Sequence, residues 1–211
     1  LFPTRRFSDL ASQPVRTCPI KLNQLPTLDR PRDPKQSNEF AFSRWLIPWL
    51  CGYEGFAIFI DCDQMFRDDI VKLWELRDIS CAVQVVKHDY IPRSEKKFLG
   101  NDQTKYKKKN MSSVMIFNCE KCIHLTPEYV NTAHGLDLHQ FKWIEDELIG
   151  SLPIEWNWLV GEYPYNPQAQ NIHFTIGGPY FTEYKNCDYA KEWFDMKEDM
   201  LNCAQIVKKT T

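Results

Sequence analysis

Two aspartates one residue apart, Asp61-Cys62-Asp63, directly follow the apolar run Phe56-Ala-Ile-Phe-Ile60. Fifteen aspartates in 211 residues make about one Asp-x-Asp expected by chance, so the pair means little by itself. Its position gives it meaning. Carboxylates at i and i+2 leaving a buried strand can point the same way, and paired hard oxygens suit Mn²⁺ or Mg²⁺, ions that bridge phosphate oxygens. The competing reading is an acidic turn that caps the next helix. His173 is the second candidate, near the end of a late strand that runs into Gly177-Gly178-Pro179. A strand-end imidazole facing the same edge would complete a coordination set for a borderline ion such as Mn²⁺. A lone His in an apolar segment is otherwise a hydrogen-bonded core residue. The histidines at 88, 124, 134 and 139 have no comparable setting. Cys119-Glu-Lys-Cys122 is the one CxxC, and with only His124 nearby it reads as the start of a helical turn, not as a zinc site.

The elements that must position these groups follow from apolar pattern and punctuation. Strands are expected at residues 15–20, 56–60, 81–86, 113–117, 155–160 and 171–174. The run at 56–60 has the continuous apolar character of a strand buried on both faces. A helix capped by Ser37 or Asn38 carries Phe40, Phe42, Trp45, Leu46, Trp49 and Leu50, with Pro48 bending or ending it. Asp68 and Asp69 start a helix with Ile70, Leu73 and Trp74 on one stripe, and Thr126-Pro127 starts another. A last helix spans 189–208. Buried strands alternating with helices predict an α/β sheet covered on both faces, with ligands bound beyond the carboxyl ends of the strands.

Composition sets the outer limits. Seven Trp, nine Tyr and thirteen Phe against eight Gly exclude disorder and low-complexity architecture. A net charge of −2 excludes a nucleic-acid binder working by bulk charge, so no nucleic-acid partner is expected. Residues 93–109 carry seven basic and two acidic side chains, a locally positive loop that is either a solvated flap or faces phosphate. No apolar run approaches the ~18 residues of a transmembrane segment. The opening LFPTRRFSDL lacks the apolar core of a signal peptide, and residues 1–10 are expected to be a non-native leader ahead of a single domain at 11–211. Eight cysteines scattered among apolar segments suit a reducing compartment, so the expected location is cytoplasmic, or peripheral at the inner membrane. P-loop, dinucleotide and nucleophile-elbow motifs are absent.

Five segments in order, Ala41-Phe-Ser-Arg-Trp-Leu-Ile-Pro48, Phe56-Ala-Ile-Phe-Ile-Asp-Cys-Asp63, Ser112-Ser-Val-Met-Ile-Phe-Asn118, Trp143-Ile-Glu-Asp-Glu-Leu-Ile-Gly150 and His173-Phe-Thr-Ile-Gly-Gly-Pro-Tyr180, resemble the motifs of glycosyltransferase family eight. The likeness is to its bacterial members of the lipopolysaccharide and capsule type, and covers residues 14–195. It implies a GT-A-like α/β fold, a mostly parallel central sheet flanked by helices, with the first strand missing. It also implies transfer of a sugar from a nucleotide-sugar, a UDP-sugar by the same likeness, to a saccharide or glycan acceptor, with retention. By resemblance, Asp61, Asp63 and His173 hold Mn²⁺ or Mg²⁺. Arg44 reaches toward the donor sugar, Asp146 and Glu147 flank the transferred sugar, and Ser112, Ser113 and Gly177 line the donor pocket. Two departures stand out: Glu147 takes the place of the usual Gln, and Gly178 stands where a phosphate-binding Lys usually precedes the closing Pro-Trp, here Pro179-Tyr180.

Two rival readings follow. A haloacid-dehalogenase-type phosphatase also places Asp-x-Asp after a buried strand, but it carries Thr or Val where this chain has Met65. The other rival is a truncated, inactive transferase fragment or a carbohydrate- or partner-binding remnant.

Overall fold

The computed structural model describes residues 10–31, 40–89, 96–97, 101–102, 108–109 and 111–209. Its strands are β1 (Phe56–Ile60), β2 (Gln64–Phe66), β3 (Val83–Val86), β4 (Lys96–Lys97), β5 (Asn101–Asp102), β6 (Val114–Asn118), β7 (Ile149–Leu152), β8 (Trp158–Leu159) and β9 (Asn171–His173). The α-helices are α1 (Ile47–Leu50), α2 (Ile70–Glu75), α3 (Pro127–Thr132), α4 (Gly135–His139) and α5 (Ala190–Lys209).

The central sheet has the order β1-β6-β3-β7. β6 runs antiparallel to both β1 and β3, while β3 and β7 are parallel. Three of the four strands therefore share a direction, but the hydrogen-bonded pairings are mixed, not mostly parallel as expected. β1 lies at one end of this order, so its residues are half-buried throughout instead of buried on both faces.

Side chains alternate across a strand with period two, and the core obeys that rule. Met115 and Phe117 of β6, with Ala57 and Phe59 of β1, face one apolar cluster that includes Trp45, Leu46 and Phe141. Val114 and Ile116, with Phe56, Ile58 and Ile60, face a second cluster around Ile70, Leu73 and Trp156. A smaller sheet, β2-β9-β8, packs Met65 and Ile172 into a third cluster with Tyr189, just ahead of α5, and Trp193 of α5. The alternation of helix and strand thus gives the two-faced α/β architecture expected.

Local signals mostly act as read. Asp69 caps α2 by accepting from the Val71 N–H at 2.9 Å, and Thr126 caps α3 by accepting from the Tyr129 N–H at 3.1 Å. Ser37 and Asn38, the expected caps of the first helix, lie outside the described residues, and residues 40–42 form a turn. There follows a 3₁₀ turn, Ser43–Leu46, that passes into α1 with Pro48 in the first turn. Residues 15–20 form no strand, though Val15 packs on the second cluster beside Leu10 and Ala11. Residues 1–9 lie outside the described residues. The segment 155–160 is a 3₁₀ turn, Ile154–Asn157, followed by the two-residue β8. A strand would send Trp156 and Asn157 to opposite faces; the 3₁₀ turn buries both.

Because Phe117 is fully buried in the interior strand, Phe117→Ala is expected to lower unfolding stability by about 3–5 kcal/mol. Ile79→Ala, at a site 77% exposed, should change it by less than about 0.5 kcal/mol. Urea unfolding of the two variants side by side checks the contrast.

Candidate functional site

The chain leaves the central sheet at the end of β1 and enters the small sheet three residues later, and the two aspartates occupy that crossing. The Asp61 N–H donates to the Ser113 carbonyl at 3.0 Å, which extends the β1–β6 ladder by one residue and fixes where Asp61 stands. Asp63 is fixed from the other side, since its carbonyl accepts from the Phe174 N–H at 3.0 Å. The antiparallel register of β2 with β9 sets Gln64 opposite His173. Because Met65 and Ile172 face the third cluster, period two turns His173 the other way, toward the carboxylates. One oxygen of each aspartate and a ring nitrogen of His173 lie within 4.8 Å of one another. Among the described residues this is the one such group of His, Cys, Asp and Glu.

Arg44 organises the first carboxylate. Its Nη2 donates to Asp61 Oδ1 at 2.7 Å and its Nη1 to Asp61 Oδ2 at 3.1 Å, a two-pronged pair. The remaining donors hold the guanidinium itself: Nη1 to the Ser112 carbonyl at 2.7 Å, and Nε to the Ala41 carbonyl at 3.0 Å. The group also lies 4.7 Å over the Phe59 ring. Burial pushes the Asp61 carboxyl above its usual range, a shift that Arg44 opposes and Asp63 reinforces. At Asp63 burial also acts upward, but the nearby charge of His173, a backbone N–H and Arg44 outweigh it and hold the group low. Between the two carboxylates, Cys62 is driven up to about 11 by burial and by its charged neighbours, which keeps it a thiol.

The residues suit a divalent cation. Asp63 Oδ1 is buried without a hydrogen bond and lies 3.4 Å from His173 Nε2. An orphaned carboxylate oxygen beside a second carboxylate and an imidazole is a donor set that a cation satisfies. The Arg44 fork does not exclude this, because each Asp61 oxygen keeps a second lone pair.

The other expected site residues divide. Ser112 and Ser113 reach the site through their carbonyls, which anchor Arg44, Asp61 and the Gln64 amide. The Ser112 hydroxyl is turned to His139 Nδ1 at 3.0 Å. Gly177 has φ +138°, and a Cβ there would lie 2.3 Å from the Tyr184 ring, so close packing explains the glycine. Asp146 and Glu147 are outside the converging group: they sit on the 3₁₀ turn Asp146–Leu148 ahead of β7, both exposed. Asp146 is paired with Lys108, which lowers its carboxyl. Cys119 and Cys122 are core thiols, each raised to about 12 by burial, and Cys122 donates to the Ala82 carbonyl, so the CxxC is structural.

Sequence reasoning missed three residues. Asn157, fully buried, accepts from His173 Nδ1 and donates to His88 Nε2, both at 2.9 Å, and His88 Nδ1 meets the Tyr163 hydroxyl at 2.9 Å. His88 thus has a setting after all. Asn157 lies in Glu155-Trp-Asn-Trp158, which carries no motif signal; a search for buried amides beside a candidate ligand would have found it.

Removing Arg44 leaves a buried carboxylate without its partner. Arg44→Met is expected to cost about 3–5 kcal/mol of stability. The double variant Arg44→Met/Asp61→Asn should recover most of that loss, because no charge is then stranded. Urea unfolding midpoints of both variants test the pairing.

No family model matches the chain. Its backbone is similar to the galactosyltransferase LgtC in complex with donor and acceptor sugar analogues, with a TM-score of 0.53 and 10% identity over 81% of this chain and 70% of that one. The apo bifunctional glycosyltransferase WbbM gives a TM-score of 0.52 and 16% identity over 76% of this chain, which spans about a third (35%) of WbbM. The apo glycosyltransferase GlyE of Streptococcus pneumoniae TIGR4 gives 0.50 and 17% identity, covering 79% of this chain and 45% of that one. These likenesses establish a GT-A-type glycosyltransferase fold. In sequence, the chain is 41% identical over 199 residues to Protein CDI of Arabidopsis thaliana, covering 90% of this chain and 77% of that protein. The expected resemblance was to bacterial members; this relative is a plant protein. On that identity and coverage, the chain belongs to the family of Arabidopsis Protein CDI.

Proposed function

We propose that the chain is a metal-dependent glycosyltransferase of the family-eight type, moving a sugar with retention from a nucleotide-sugar, a UDP-sugar in the first instance, to a saccharide acceptor. One observation carries this: on a GT-A-type fold, two carboxylates and an imidazole converge within 4.8 Å at a strand exit, and one of the oxygens is buried without a hydrogen bond. Asp61, Asp63 and His173 would hold Mn²⁺ or Mg²⁺. When bound, such an ion neutralises the charge that develops on a departing diphosphate.

The chain's own residues prepare that chemistry. Arg44 opposes the rise that burial imposes on Asp61 and orients its carboxylate, so it acts through that group and not on the sugar directly. His173, 3% exposed and hydrogen-bonded at Nδ1, presents Nε2 toward Asp63. The carbonyls of Ser112 and Ser113 hold Arg44 and Asp61 in place before any ligand arrives, and such preorganisation is what stabilises charge at a reacting centre. Asp146 or Glu147 would steady the sugar centre from the exposed rim. Lys108, paired with Asp146, offers positive charge there for phosphate.

The reading is tested by Mn²⁺-dependent release of UDP from a panel of UDP-sugars. Activity is expected to vanish on chelation and return with Mn²⁺. Asp63→Ala and His173→Ala are each expected to lose at least about 100-fold, in line with the loss of a group that stabilises developing charge. Metal-independent turnover, or full activity in both variants, would overturn it.

A further inference from the structure

We propose that Asn157 is a positioning residue that holds a proton on His173 Nδ1, so that Nε2 is the ring atom left to face the two aspartates and a cation beside them. The inference rests on reading Asp61, Asp63 and His173 as a metal site.

With the Asn157 amide placed as it stands, the chemistry of each atom sets the direction of every contact. Asn157 Oδ1 is a carbonyl oxygen and only accepts, so His173 Nδ1, 2.9 Å away, donates. His173 Nε2, 3.4 Å from Asp63 Oδ1, is then the ring nitrogen that can offer its lone pair to a cation. On the other side, Asn157 Nδ2 only donates, so His88 Nε2, 2.9 Å away, accepts. His88 then carries its proton on Nδ1 and donates to the Tyr163 hydroxyl at 2.9 Å. Burial, with the charge of His173 second, lowers His88 to about 3, so the ring is neutral at ordinary pH, as this arrangement requires.

Turning the amide of Asn157 by half a turn would reverse both histidines at once. It would put N–H on His173 Nε2, pointing at the carboxylates, and abolish the lone pair a cation needs. The backbone brings Asn157 to this point. Asn157 is fully buried, directly ahead of β8, and β8 runs parallel to β9 with Leu159 opposite His173. His88 follows β3 of the central sheet. The amide therefore joins the two sheets at the candidate ligand, as an outer-shell group that sets the tautomer of a metal-binding imidazole.

Two measurements on the full chain test this. In the ¹⁵N-labelled, metal-free protein at neutral pH, long-range proton–nitrogen correlations are expected to show a proton on Nδ1 of both His173 and His88; a bare Nδ1 at His173 would overturn the inference. The second is Mn²⁺ affinity, read from the electron paramagnetic resonance signal of free Mn²⁺. Asn157→Leu, of nearly the same volume, is expected to weaken binding about 10- to 100-fold. Asn157→Asp keeps an acceptor for Nδ1–H and should retain wild-type affinity. Loss of binding in His173→Ala with wild-type affinity in Asn157→Leu would overturn the inference alone. Equal affinity in the wild-type and His173→Ala chains would overturn the metal reading, and this inference with it.

Discussion

The buried pair of Arg44 and Asp61 is the constraint on which the site depends. A carboxylate at the end of β1, largely removed from water, is costly unless an opposite charge meets it with good geometry. Arg44 supplies that charge from the 3₁₀ turn Ser43–Leu46, with both Asp61 oxygens in hydrogen-bond range and the Ser112 carbonyl behind it. The pair thus ties three chain segments, around residues 44, 61 and 112, to one point. The neighbouring Trp45 is fully buried among Phe141, Trp143 and His139, so the turn that carries Arg44 cannot drift without opening the core. Charge pairing and aromatic packing hold the same turn, and the position of Asp61 is therefore a property of the whole first cluster.

How much of this was legible in the sequence depends on how far apart the interacting residues lie. The Asp61 and Asp63 pair could be read because strand run and carboxylates are contiguous, and His173 because a strand and a Gly-Gly-Pro turn frame it. Arg44 was found only through the order of motifs, since nothing local marks a helix-turn arginine as the partner of a residue 17 positions on. Asn157 and His88 were invisible for the same reason, magnified: their bond spans 69 positions, and the bond from His88 to Tyr163 spans 75. Periodicity reports which face a residue occupies, not which polar atom waits there.

The fold shows the same division. Runs with a clear period or a cap, such as 56–60, 70–75 and 127–132, took the expected form. Segments 15–20 and 155–160 did not. The first has β-branched and apolar residues but no strand to pair with among the described residues, and an unpaired strand has nowhere to place its backbone hydrogen bonds. The second must bury two adjacent side chains, Trp156 and Asn157, which a pleated strand cannot do on one face. Tertiary demand overrode local preference, and it did so at the residue that touches His173.

The last question is why strands as short as β2 and β9 hold a fixed register, since a slip of one residue would turn His173 into the apolar cluster. Three-residue strands carry too few ladder bonds to specify this alone. A buried amide pair supplies the rest. Asn171 Nδ2 donates to Gln64 Oε1 at 2.6 Å and to the Trp156 carbonyl at 2.9 Å, while Gln64 Nε2 donates to the Ser113 carbonyl at 3.1 Å. Gln64, Asn171 and His173 share one face of the small sheet, so any slip would strand these amides in the interior without partners, at a cost of about 1–3 kcal/mol each. The Ser113 carbonyl that accepts from Gln64 also accepts from the Asp61 N–H. One backbone oxygen therefore references both the first aspartate and the register of the histidine, and the relative placement of these two groups is set by hydrogen bonds that no apolar pattern could have encoded.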